Sequence, residues 1–125
     1  MTMNLRAPCR NATILLGMLF AFAVSAAEPT VVELSLARGK PEGGTVRTVR
    51  VSKDDKVALR IRSDQAMAVH LHGYEVELRL VPGNLATMTF EAKIVGRFPL
   101  TAHLPAAPGS KASEPTLLYL EVHPR

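Results

Sequence analysis

Two of the four histidines in this chain, His70 and His72, are separated by a single leucine. Side chains alternate between the two faces of an extended strand, so both imidazoles are expected on one face, about 7 Å apart. A third histidine, His103, ends another strand-like run roughly thirty residues further on. Paired imidazoles with a distant third are what a copper or zinc site in a β-sandwich requires. The spacing therefore predicts a metal site at His70, His72 and His103.

The same histidines are also compatible with a metal-free strand. Imidazole pairs at this spacing can face solvent or form hydrogen bonds, and His103 alone is typical of a strand end at the surface. Gly73 permits a close backbone approach, which favours the metal interpretation. Met67, close to the pair, is the candidate for a fourth ligand, because a thioether suits Cu(I). Met88 is expected in the core, and His123 is expected to face solvent.

Residues 1–27 are predicted to be a signal peptide that is cleaved on export to the periplasm. Arg6 and Arg10 begin the segment, an apolar run follows from Ala12 to Val24, and small residues close it. The apolar run has about 13 residues, whereas a membrane-spanning helix needs about 20. An N-terminal membrane anchor is the alternative. After cleavage, residues 28–125 are expected to form one domain without membrane attachment.

Charge and cysteine content limit what the mature domain can do. The formal net charge of +4 falls to about +2 when the two leader arginines are removed, and no basic run with interleaved aromatic residues remains. Nucleic-acid binding is therefore not expected. The single cysteine, Cys9, lies in the leader. The domain consequently has neither a thiolate ligand nor a disulfide framework.

Apolar and polar residues alternate in short runs through the whole mature chain, most clearly at Val57, Leu59 and Ile61. With no helical periodicity, this pattern predicts an all-β fold, a Greek-key antiparallel β-sandwich of 7–8 strands. The other runs are Val32–Leu36, Val49–Val51, Met67–His72, Val76–Leu80, Thr87–Glu91, Phe98–His103 and Leu118–Val122. One long loop, Leu104–Pro115, contains three prolines. That loop offers a metal at most Glu114 and backbone carbonyls.

Over residues 31–124 the chain resembles a cupredoxin-like domain, and is similar to small exported bacterial proteins of that type. The resemblance rests on Val57–Asp64, Val69–Tyr74, Val81–Gly83, Phe90–Lys93, Gly96–Phe98 and Leu118–Pro124. It implies one histidine ligand on a middle strand, where His70 or His72 stands. It implies a cysteine, a second histidine and often a methionine around the penultimate strand and the next loop. Here Ala102 or its neighbour stands near the expected cysteine, so the blue-copper site is not carried over.

Without a thiolate, bound copper would be a nitrogen and oxygen centre poorly suited to fast electron transfer. We therefore expect a periplasmic protein that binds copper through His70, His72 and His103, to hold the ion or deliver it to a copper-handling partner. A metal-free β-sandwich acting as an accessory module on a protein partner is the alternative. A third interpretation is an accessory domain of a periplasmic iron or copper uptake system. No catalytic constellation can be assembled, so no enzyme is predicted.

Overall fold

Following the alternation of apolar and polar residues, the chain forms nine β-strands in this computed structural model. The structure describes residues 20–23, 27–104 and 107–125. The strands are β1 (Thr30–Ala37), β2 (Lys40–Pro41), β3 (Arg47–Ser52), β4 (Lys56–Ser63), β5 (Met67–Leu71), β6 (Val76–Leu80), β7 (Leu85–Glu91), β8 (Gly96–His103) and β9 (Thr116–His123). These ranges contain no helix. Most of the predicted signal peptide, 1–27, lies outside the described residues, and it stays a prediction.

The strands form two sheets that face each other. One has the order β2-β1-β4-β7 and the other the order β3-β9-β8-β5-β6. Val57, Leu59 and Ile61 of β4 are all at most 1% exposed, and they pack in a core that both sheets supply. Removing such apolar side chains from water is the main driving force for folding. The prediction of an all-β sandwich is confirmed.

The sheets are mixed rather than wholly antiparallel. β1 pairs with β4 in parallel, and β3 pairs with β9 in parallel. Alternation in a sequence shows which side chains share a face, but it carries no information about the direction of the neighbouring strand. The structure has one strand more than the 7–8 predicted, because the two-residue β2, which lies outside the predicted runs, pairs with the end of β1.

Strands β5 and β8 position the histidines. The two strands are antiparallel neighbours, and their register places Ala68 opposite His103 and His70 opposite Thr101. Alternate residues of β5 are buried in the core, whereas Ala68 and His70 are only half-buried on the outer face of the five-stranded sheet. His72 follows β5 directly, and its backbone N–H donates to the carbonyl of Pro99 at 3.1 Å. The side chain of His72 therefore lies on the same outer face as those of Ala68 and His70.

Candidate metal site on the outer face of the five-stranded sheet

The structure brings the three predicted histidines together. The ring centroids of His70 and His72 are 4.4 Å apart, and those of His70 and His103 are 5.9 Å apart. All three side chains are half-buried on the same outer face. We call His70, His72 and His103 the histidine patch.

One ring nitrogen of each patch histidine lies beside a side-chain oxygen. Nε2 of His70 lies 3.3 Å from Oε2 of Glu75, and Nδ1 of His103 lies 3.1 Å from Oε1 of Glu114. Nε2 of His72 lies 3.0 Å from the hydroxyl of Thr101, a residue that is only 6% exposed. Within the described residues, the second ring nitrogen of each imidazole forms neither a hydrogen bond nor an ion pair. Each ring therefore has one anchored nitrogen and one available nitrogen.

The spacing of the rings suits a shared metal ion, but the directions of their nitrogens do not yet converge. Two imidazoles that bind one metal at about 2.0–2.1 Å place their ring centres roughly 4.5 to 5 Å apart. The observed 4.4 and 5.9 Å bracket that spacing. In the described part of the chain, no group of three or more His, Cys, Asp or Glu side chains is arranged to hold an ion as it stands. What fits copper or zinc is the donor chemistry, because imidazole nitrogen is a ligand that both metals accept.

A rigid turn after His72 carries the carboxylate of Glu75 back to His70. Gly73 has a φ of +84°, and a Cβ at this position would lie 2.3 Å from Cδ1 of Phe98. The Tyr74 hydroxyl donates to the carbonyl of Ile94 at 2.9 Å and accepts from the N–H of Ile94 at 3.0 Å. Glu75 follows with a φ of +52°, a conformation uncommon for residues other than glycine. The turn is thus held by the two hydrogen bonds of the Tyr74 hydroxyl and by the edge-on contact of the Tyr74 ring with Phe98, whose ring centroids are 5.1 Å apart.

Neither Met67 nor Ala102, the position near the expected cysteine, lies at the histidine patch. Met67 is 6% exposed and packs in the core, on the face of β5 opposite the histidines, so its prediction as a fourth ligand is wrong. The reason is its odd spacing from His70, which puts the two side chains on opposite faces. Met88 lies in the core as predicted. Ala102 is fully buried and faces the core, so the position near the expected cysteine and the histidine patch lie on opposite faces of β8.

Of the other histidine and glutamate side chains, His123 lies away from the histidine patch, whereas Glu114 and Glu75 contact it. His123 is exposed at the end of β9, where its Nε2 lies 2.8 Å from Oε1 of Glu121. Glu114 reaches His103 from the long loop. It is the one side chain that the sequence predicts this loop can offer to a metal. The contact of Glu75 with His70 is not predicted by the sequence, because alternation with the following strand favours an outward strand residue there rather than a turn residue. Its only signal in the sequence is its place directly after the Gly73 turn.

Comparison with known proteins concerns the fold. No protein-family model matches the chain, and no curated protein matches it. The structure is similar to a bacterial laccase-like multicopper oxidase from Ochrobactrum sp. (TM-score 0.60, 13% identity, 77% of this chain and 31% of that chain). It is also similar to a multicopper oxidase from Pseudomonas thermotolerans (TM-score 0.59, 20% identity, 80% and 31%). A third similar structure is a heme-copper terminal oxidase dimer (TM-score 0.57, 16% identity, 75% and 65%).

The fold is cupredoxin-like. The likeness expected from the sequence is therefore confirmed at the level of the fold, with low sequence identity. The chain spans less than a third of each multicopper oxidase and 65% of the heme-copper oxidase chain. Among its described residues, no helix is long and apolar enough to cross a membrane. The outer face of its five-stranded sheet carries the histidine patch.

Proposed function

We propose that this protein is exported to the periplasm, binds copper at the histidine patch, and holds the ion or delivers it to a protein partner without catalysing a reaction. The observation that carries the proposal is the set of three neighbouring imidazoles, each with one nitrogen anchored by an oxygen. Histidines that bind metals usually donate their other N–H to a carboxylate or another oxygen, which fixes the ring. Glu75, Glu114 and Thr101 occupy those anchoring positions.

Two further observations support this function. The similar structures include proteins described as multicopper and heme-copper oxidases, so copper chemistry accompanies this fold in those proteins. The histidine patch also lies on an open sheet face, beside a groove of about 550 Å³ that His103, Arg79 and Val81 help to line. A partner could reach an ion held on this face directly. That accessibility suits holding and delivery better than a buried redox centre.

A metal-free accessory module, acting through a partner protein, is the second candidate. The observation in its favour is that the ring nitrogens point to separate oxygen partners and not toward one point within the described residues. In that case the histidines and glutamates are a polar network on the sheet face. The partner would then recognise this face without an ion.

Calorimetric titration with Cu(II) separates the two candidates. The protein is compared with the variant His70→Ala/His72→Ala and with the control His123→Ala, which removes an exposed imidazole outside the patch. The proposal predicts one equivalent bound by the protein and by the control, and a loss of binding in the double variant. Absence of binding, or equal binding by all three proteins, would leave the metal-free module.

A further inference from the structure

We infer that the histidine patch is a site for divalent rather than monovalent copper, and that Glu75 and Glu114 set this preference. The inference rests on the copper-binding function proposed above. It adds the oxidation state of the ion and two specificity-determining residues from outside the histidine set.

The donor atoms at the patch are nitrogen and oxygen without sulfur. Residues 28–125 contain no cysteine, and the side chains of Met67 and Met88 are both buried in the core. Soft thiolate and thioether ligands select Cu(I), whereas a tetragonal set of nitrogen and oxygen donors suits Cu(II). The side chains that surround the imidazoles therefore disfavour the monovalent ion.

Two carboxylates place negative charge directly against the imidazole rings. Glu75 contacts His70 and Glu114 contacts His103, both within 3.3 Å. A carboxylate attracts a doubly charged ion twice as strongly as a singly charged one at the same distance. The Glu75 side chain is 76% exposed and that of Glu114 is 50% exposed, so solvent screening reduces this advantage. The two carboxylates together are therefore expected to strengthen Cu(II) binding by about tenfold and not by many orders of magnitude.

Glu75 is held in place by the backbone around it. Its positive φ is a conformation in which glycine or asparagine is more usual, and it turns the carboxylate back over the preceding strand. The two hydrogen bonds between Tyr74 and Ile94 fix the turn from the opposite side. Glu114, in contrast, comes from a long loop with little regular structure. The turn therefore supports Glu75, whereas Glu114 lies nearer to its histidine (3.1 Å against 3.3 Å) and is less exposed (50% against 76%).

Competition with chelators of known affinity measures this preference, with Cu(II) in air and with Cu(I) under anaerobic reducing conditions. The variants are Glu75→Gln, Glu114→Gln and the double variant, and the control is Glu91→Gln, a glutamate on the other sheet that pairs with Lys93. Glutamine keeps the size and the hydrogen-bonding oxygen but removes the charge. We expect the double variant to bind Cu(II) about tenfold more weakly and Cu(I) only about threefold more weakly, because the Coulomb energy for the monovalent ion is half as large. The control should leave both affinities unchanged.

Two outcomes would overturn the inference, and only the second would also refute the proposed copper function. If the protein binds copper through its histidines but the double variant weakens Cu(II) and Cu(I) equally, or weakens neither, then only the role of the carboxylates is refuted. If the protein binds neither ion, then the proposed copper function is refuted together with the inference.

Discussion

Substitution of Gly73 by alanine should destabilise the domain through two separable effects. The backbone φ of +84° is unfavourable for any residue with a Cβ, which costs about 1–2 kcal/mol. The new Cβ would also lie 2.3 Å from Cδ1 and 2.6 Å from Cε1 of Phe98, well inside van der Waals contact. Overpacking of this kind typically costs a further 1–3 kcal/mol.

Phe98 cannot easily move away, because it packs edge-on against Tyr74 with ring centroids 5.1 Å apart, and a neighbouring glycine at position 96 also lies close to its ring. The two costs together give a loss of about 2–5 kcal/mol in the free energy of unfolding. A small domain is stable by only about 5–15 kcal/mol, so the variant should fold with a clearly lower denaturation midpoint.

Gly83→Ala is the matched control. Gly83 has a φ of +77°, but a Cβ there would have no atom within 4 Å, so this variant has only the backbone cost. Urea denaturation followed by circular dichroism should therefore show Gly73→Ala to be less stable than Gly83→Ala by about 1–3 kcal/mol. Equal losses in the two variants would refute the claim that Phe98 closes the turn beside the histidine patch.

Three further predictions concern the turn, the missing cysteine and protonation. Tyr74→Phe removes both hydrogen bonds to Ile94 and should lower the free energy of unfolding, measured by urea denaturation, by about 1–3 kcal/mol; an unchanged midpoint would contradict the claim that these bonds hold the turn. Ala102→Cys places its thiol in the core, away from His103, so the copper-loaded variant should lack the intense visible absorption of a copper–thiolate bond. Copper affinity measured by calorimetry should be weaker in acid than at neutral pH, because protons compete with the metal for its nitrogen ligands; an affinity that does not change with pH would point to other ligands.

Much of the fold was predictable because alternation reports burial directly. Val57, Leu59 and Ile61 alternate with polar residues in the sequence, and in the structure they lie in the core between the sheets. The direction of strand pairing was not predictable in the same way. The parallel pairs of β1 with β4 and of β3 with β9 depend on how the chain crosses between sheets, which no local pattern encodes.

The candidate site was predictable only in part. His70 and His72 share a face by simple parity, but the approach of His103 depends on the register that sets it opposite Ala68, some thirty-five residues away. The same parity argument, applied to Met67, would have excluded it as a ligand. Glu75 reaches His70 through a backbone turn with positive φ at a residue other than glycine, and sequence patterns do not reveal such turns.

Pulsed electron paramagnetic resonance of the Cu(II)-loaded protein tests the central claim most directly, because it counts the imidazole nitrogens coupled to the ion. The account predicts coupling to the imidazoles of the histidine patch. It further predicts the loss of one imidazole in each of His70→Ala, His72→Ala and His103→Ala, with no change in His123→Ala. Coupling that persists unchanged in the three patch variants, or a spectrum without imidazole coupling, would contradict a copper site on this sheet face.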